Sequence, residues 1–343
     1  MEVESPAYTH REDALTAVPI KLTSPQVTRT PAGTPVAPPV ARTIAVAGVQ
    51  LHYYESQPAE PSAKPPLLLL HSLLATAETF AALTRNLPRD RRIVALDLLS
   101  AMPLTAAPLE TAPPAAKEPL AVNCASLTEL IHQFAHAVAL QRPVLVGHSL
   151  GGALALRLAA VHTDSVTALA LLSPAHPFAG YREHVVRFYL THWGRFLALR
   201  IPLAPNWMIL RAYNAATGSR KALTPAHLKP YLRILRSRRA LKRVLLILSH
   251  WEADMDTLRE ALLRSPIAQP TLLLWGDHDV IVPIESAPAL ERCLRLSERT
   301  NLPGKGHLLV EEVPELCGER ISDWLASLDV AKVDSAKLSG LNS

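Results

Sequence analysis

Acidic residues are missing from one long stretch of this chain. None lies between Glu183 and Glu252, while thirteen lysines and arginines do. Those thirteen exceed the net charge of the whole chain, +5, so the remainder is net negative. The basic field is local, and no nucleic-acid-binding motif accompanies it, so nucleic acid is not an expected partner. Long apolar runs are missing too. No stretch reaches the ~18 apolar residues of a membrane-spanning helix. The opening residues MEVESPAYTH carry acids and no hydrophobic leader core, which predicts no secretory signal and a cytoplasmic location. Cysteine is scarce. Cys124, Cys293 and Cys317 are scattered, without a C-x-x-C pair, so reduced thiols are expected and no metal site is. A phosphate loop ending in G-K-[ST] is also absent, and no cofactor is expected. What remains is a 343-residue chain, 49% hydrophobic. That suffices for one large domain with an insertion, or two modest ones.

Proline divides the chain. Seven prolines within residues 1–40 interrupt any periodicity and predict a disordered tail. A Pro/Ala-rich stretch at 100–122 reads as a long surface loop, and residues 330–343 as a second tail. Between them, RTIAVAG and VQLHYYES read as an antiparallel pair. Continuous apolar runs follow at 65–71, 91–99, 142–147, 166–173 and 270–276, as strands covered on both faces require. Helical patterns at 75–87, 126–140, 150–162 and 286–297 separate them. The alternation predicts an α/β fold: a mostly parallel central sheet flanked by helices. About 95 residues part the runs at Ser173 and Pro270, too many for a loop and helical in pattern. They predict an inserted helical cap over 175–265, with the core at 41–174 and 266–329.

Within that frame, Gly147-His148-Ser149-Leu150-Gly151 spells G-x-S-x-G between a buried strand and a helical pattern. A serine hydroxyl becomes a nucleophile when a sharp turn presents it and a base takes its proton. Small residues two before and two after let the backbone bend, and the Leu150 N–H falls at a helix start that favours an oxyanion. His307, in NLPGKGHLLVEEVPE, supplies a candidate base. Asp277 and Asp279, just beyond the strand TLLLWG, are candidate acids on the same sheet edge.

LLLLHSLL, IVALDLL, VGHSLGG, LLLWGDHDVIVP and GKGHLLVEEVPE together resemble the α/β-hydrolase superfamily, in its cap-bearing branch, over about residues 42–328. The resemblance implies Ser149 as nucleophile, His307 as general base and then acid, and Asp279 rather than Asp277 as the acid orienting His307. It implies an oxyanion hole of the Leu73 and Leu150 N–H groups. His71 and His148 lie inside family motifs and are expected to support the site. Epoxide hydrolases and haloalkane dehalogenases of this fold carry aspartate where Ser149 stands. The chain departs from the family at Ser72, where glycine is usual and where a Cβ restricts the backbone. It departs again after Asp97, where D-x-x-G-x-G is replaced by Leu98-Leu99-Ser100-Ala101-Met102.

The implied function is a serine hydrolase acting on an ester, thioester or related acyl bond of an amphiphilic small molecule. The alternative is a non-catalytic member of the fold that binds or shields a hydrophobic ligand. It draws on a likeness of residues 217–262 to bacteriochlorophyll magnesium-chelatase accessory hydrolases. Ten of the chain's aromatic residues fall in the insertion. They serve either its own core or an apolar substrate tunnel. The basic, leucine-bearing segment 224–251 is either a solvated helix face or a docking surface for an anionic head group or anionic membrane.

Overall fold

The computed structural model describes residues 39–98, 122–180, 183–219 and 222–340. Residues 1–38 of the tail expected at 1–40, and most of the Pro/Ala-rich loop, lie outside the described residues; Val40 already belongs to the first strand. Eight strands form one sheet in the order β1-β2-β4-β3-β5-β6-β7-β8. The first pair is β1 (Val40–Val46) and β2 (Val49–Ser56), antiparallel, with Val46 opposite Val49. Ala47 and Gly48 join them with φ of 51° and 75°, the doubly left-handed turn that suits the twist of a tight hairpin. β3 (Leu67–Leu70), β4 (Ile93–Asp97), β5 (Val144–His148), β6 (Ala168–Leu172), β7 (Thr271–Gly276) and β8 (Ser297–Leu302) run parallel to one another.

The sheet is buried on both faces, so its inner strands have no polar side. Leu67, Leu68, Leu69 and Leu70 are all fully buried. Leu68 and Leu70 face one core with Leu145, Leu171 and Leu273, while Leu67 and Leu69 face another with Val144, Val146 and Leu274. After β3 come a 3-10 turn (Ala77–Phe80) and the short α1 (Ala81–Thr84), less than the single helix expected at 75–87. α2 (Cys124–Ala137) and α3 (Leu150–Val161) cover the first face. α10 (Ala287–Glu291), α11 (Leu309–Glu312) and α12 (Pro314–Gly340) complete the chain. α12 covers the second face through Ile321, Trp324 and Leu325. It continues past residue 330, where a tail was expected; no proline or glycine interrupts it between Gly318 and Gly340.

Between β6 and β7 the chain is helical: α4 (Glu183–Leu190), α5 (His192–Ala198), α6 (Asn206–Asn214), α7 (Lys229–Leu235), α8 (Arg238–Ser249) and α9 (Trp251–Arg264). The basic segment is two helices. α7 ends at Leu235, and Ser237 caps α8, its hydroxyl accepting from the Ala240 N–H, so the leucine stripe is broken there. Its charges are not all solvated. Arg243 is buried, and burial with the neighbouring Arg239 pushes its guanidinium down to about 10 against the pull of Asp97. Arg236 donates to the carbonyls of Pro202 and Ala204 and to Asn206 Oδ1, tying α7 to the chain before α6.

Candidate active site

The turn from β5 into α3 holds Ser149 at φ 53° and ψ −114°, a left-handed conformation that a serine adopts only under constraint. The constraint is visible. Ser149 N–H donates to the Leu172 carbonyl at the end of β6, and its carbonyl accepts from Ala175 N–H. Glycine is obligatory on either side. A Cβ on Gly147 would stand 2.6 Å from the Gly151 carbonyl oxygen, and one on Gly151 would stand 1.9 Å from the Leu70 carbonyl oxygen. The elbow therefore exists because β3, β5 and α3 approach backbone to backbone.

The three polar residues singled out in the sequence meet here. Ser149 Oγ is 2.9 Å from His307 Nε2, and His307 Nδ1 is 2.9 Å from Asp279 Oδ2. Asp279 and His307 are both buried. Asp279 Oδ1 accepts from the N–H groups of Ile281 and Val282 at 2.9 Å each. Burial alone would raise this carboxyl. The charge and hydrogen bond of His307, with the two backbone donors, outweigh it and hold the group below its ordinary value. An ionised acid against Nδ1 keeps that nitrogen protonated and leaves Nε2 free to accept the serine proton. Asp277 is elsewhere: exposed, its Oδ1 caps the Gly304 N–H at 2.7 Å.

His148 Nε2–H donates to the His307 carbonyl at 2.8 Å. Burial and the neighbouring His307 lower the His148 imidazole to about 3, so it stays neutral and clamps the loop that carries His307. His71 is fully buried; its Nε2 accepts from Leu98 N–H at 2.9 Å and its Nδ1–H donates to the Ser72 carbonyl at 2.8 Å. That bond, and one from Ala75 N–H, fix the turn carrying Leu73. Leu150 opens α3, with its N–H at the positive end of the helix. Among the described residues, neither Leu73 nor Leu150 N–H donates to a backbone carbonyl. Ser72 is not among the residues of positive φ, so its Cβ brings no left-handed strain to this turn.

The insertion supplies contacts that the sequence reading missed. Tyr213 on α6 donates its hydroxyl to the Leu74 carbonyl at 3.3 Å. His307 N–H donates to the Ala216 carbonyl at 2.8 Å. Glu312 accepts from Gly218 N–H and Gly306 N–H, both at 3.0 Å. Tyr231 on α7 donates to Glu311 Oε1, and the Tyr231 ring lies 4.4 Å from that of Tyr213. Burial pushes Glu311 up to about 8. A pair of acids four and five residues past His307 was the available signal for Glu311 and Glu312; Tyr213 and Tyr231 were among the ten aromatics of the insertion, with nothing to set them apart from the others. Among the described residues, no three His, Cys, Asp or Glu side chains stand together as a metal site would need.

Comparison with known proteins follows the same outline. The chain is similar to the uncharacterized hydrolase YugF of Bacillus subtilis, 26% identical over 83% of this chain and 97% of that one. It is similar to mouse epoxide hydrolase 4, 24% identical over 78% of this chain and 74% of that one. Mouse monoacylglycerol lipase ABHD6 is also 24% identical, over 81% of this chain and 80% of that one. Among solved structures, Cfl2 of Burkholderia cenocepacia superposes with a TM-score of 0.68 at 19% identity, over 83% of this chain and 95% of that one. The family model described as alpha/beta hydrolase fold matches residues 65–314, the span from β3 to the start of α12. With that match laid over the parallel sheet and the strained serine turn, the chain belongs to the alpha/beta hydrolase fold family.

Proposed function

We propose that the chain is a serine hydrolase cleaving an ester, thioester or related acyl bond of an amphiphilic small molecule. The observation that carries this reading is the unbroken line from Ser149 Oγ through His307 to Asp279, each link 2.9 Å. His307 Nε2 takes the hydroxyl proton as Ser149 Oγ attacks the carbonyl carbon. The oxyanion so formed is received by the Leu73 and Leu150 N–H groups. Collapse expels the alcohol or thiol, which takes the proton from His307 and leaves an acyl ester on Ser149. Water, deprotonated by His307, attacks that ester, and His307 returns the proton to Ser149 Oγ as the acid is released. Asp279 remains ionised throughout and stabilises the imidazolium.

The monoacylglycerol lipase among the relatives is named for an ester substrate, which supports this reading. The epoxide hydrolases among them do not transfer their chemistry so directly. A carboxylate that opens an epoxide leaves an ester, which water can then cleave. A serine would leave an ether, and turnover would stop. The insertion over 175–265 is read as a cap over Ser149, because its Tyr213 and Ala216 touch the Leu74 and His307 segments. A fluorophosphonate probe tests the reading: labelling of the wild type, lost in Ser149→Ala, with hydrolysis screened across acyl chain lengths and thioesters. A folded wild type that takes no label would leave the non-catalytic, ligand-binding alternative.

A further inference from the structure

The inner and outer faces of the insertion are both apolar. On the inner side Ile209, Leu210 and Tyr213 of α6 join Tyr231, Leu235 and Leu241 in a cluster that reaches Ala75 beside the Leu73 turn. The aromatic residues expected to build the core of the insertion or line a tunnel are elsewhere in part. Trp193 is 71% exposed and Trp207 66%. Phe196, Leu197, Leu203 and Met208 are exposed with them. These six side chains lie on α5, the turn at 199–203 and the first turn of α6. A tight run of backbone bonds, Arg200 N–H to Leu197 and Leu203 N–H to Arg200, keeps that path compact. Arg195, Arg200 and Arg211 on the same segment are exposed, and the Arg200 guanidinium lies 4.7 Å from the Phe196 ring centre.

We propose that this outward face of α5 and α6 docks on an anionic lipid bilayer. Exposed tryptophans next to arginines are the combination that settles at a membrane interface, where the rings enter the head-group region and the cations stay among anionic heads. The charge of this face is complementary, since Arg195, Arg200 and Arg211 are exposed on it and no acidic residue lies between Glu183 and Glu252. Docking is peripheral: among the described residues no helix is long and apolar enough to cross a membrane. The inner face of the same segment touches the Leu74 and His307 loops, so docking brings these loops and Ser149 close to the bilayer. Docking is independent of the hydrolase reading, because binding is measured without turnover.

Full-length protein is sedimented with vesicles of phosphatidylcholine containing about a quarter phosphatidylglycerol, and with phosphatidylcholine alone. The expected result is salt-sensitive binding to the first and little to the second. Trp193→Ala with Trp207→Ala lowers the partition roughly tenfold or more. Arg195→Gln, Arg200→Gln and Arg211→Gln together do likewise. All five replaced side chains are exposed, and unchanged circular dichroism and Tm verify the folds. Brominated lipid should quench the wild type strongly. It should quench Trp193→Phe, Trp207→Phe only weakly, because of the three tryptophans left Trp275 and Trp324 are buried and Trp251 is partly buried, packed against the core. Absence of binding to either vesicle would overturn the proposal, as would equal binding by the tryptophan variant. Lipid-independent self-association, lost in that variant, would overturn it in favour of a second copy of the chain. Ser149→Ala should bind vesicles as the wild type does, so failure of docking and failure of the serine chemistry are read separately.

Discussion

Replacing Asp279 by asparagine separates orientation from packing at this site. Oδ1 of Asp279 is engaged by the Ile281 and Val282 N–H groups, both at 2.9 Å. The asparagine oxygen must take that place, since an amide NH2 there would face two donors. Its NH2 then points at His307 Nδ1, which can only accept. The proton of the imidazole moves to Nε2, and the nitrogen beside Ser149 Oγ becomes a donor instead of a base. The expected loss in kcat is about 10⁴-fold, the scale seen when a triad histidine is held in the wrong tautomer. That corresponds to roughly 5 kcal/mol of transition-state stabilisation. The fold should survive, because the two backbone donors keep their acceptor. Asp277→Asn is the control: Asp277 is exposed and caps only Gly304 N–H, so kcat should change less than about twofold. Initial rates on a short p-nitrophenyl ester, with Tm measured alongside, decide the matter. A crippled Asp277→Asn beside an active Asp279→Asn would refute the assignment. Equal and small losses in both would refute the triad.

Glu311 makes stability depend on pH. Burial raises its pKa from 4.5 to about 8, so across that window the native state holds a proton that the unfolded chain has released. Stability from this group is fully present below about pH 4.5 and is lost as pH rises through about 8; Glu311→Gln should flatten that fall in Tm, and an unchanged slope would remove Glu311 as its source. Ser72→Gly restores the residue usual in the family, but Ser72 lies outside the left-handed region. Its kcat on small esters should therefore stay within about twofold of wild type, and a larger rise would mean that the Cβ constrains the oxyanion turn. Gly151→Ala drives a Cβ to 1.9 Å from the Leu70 carbonyl oxygen. The expected cost is about 3 kcal/mol or more, a Tm lower by roughly 10 °C, and a normal Tm would mean the elbow can relax.

The centre of the sheet and the meeting of Ser149, His307 and Asp279 were legible because both obey local rules. Apolar runs such as LLLL at Leu67–Leu70 have one physical use, a strand buried on both faces. Gly147 and Gly151 are demanded by backbone approach, so the serine turn leaves a spaced signature. β8, whose sequence is SERTNL, has no apolar run to reveal it, because an edge strand needs none. The insertion was legible as helical but not in its directions. Helical spacing could not say that Trp193 and Trp207 face outward while Tyr231 is buried, since each sits among arginines and leucines. Nor could it say that Arg243 turns inward and that Arg236 holds carbonyls of the preceding turn. Those outcomes depend on which helix packs on which, and α7 and α8 are separated by a break at Ser237 that a continuous leucine stripe conceals.

The insertion is held to the site by more than apolar packing, and Glu312 is where that can be tested. Its carboxylate accepts from Gly306 N–H, one residue before His307, and from Gly218 N–H in the insertion. Glycine is needed at both positions: a Cβ on Gly218 would stand 2.0 Å from the Gly304 carbonyl oxygen, and one on Gly306 would stand 2.5 Å from that of Ala216. The two backbones are therefore in contact, and a single side chain satisfies a donor from each. Glutamine is almost the same size but offers one carbonyl oxygen and no charge. In Glu312→Gln an oxygen in the place of Oε2 still reaches Gly218 N–H at 3.0 Å and Gly306 N–H at 3.3 Å, but the shorter Gly306 bond to Oε1 is lost and both remaining bonds become neutral. Hydrogen bonds to charged groups contribute about 1.5–3 kcal/mol each, so a loss of about 2 kcal/mol and a Tm lower by roughly 5 °C are expected. His307 N–H still has the Ala216 carbonyl, and His148 still holds the His307 carbonyl, so kcat on a small ester should fall by less than about tenfold. Hydrogen exchange at the two glycine amides is the direct readout: protection should drop at Gly218, at Gly306 or at both, while Ser149 N–H on Leu172 stays protected. If both glycine amides exchange as slowly as in the wild type, the carboxylate is not what fastens the insertion to the histidine loop.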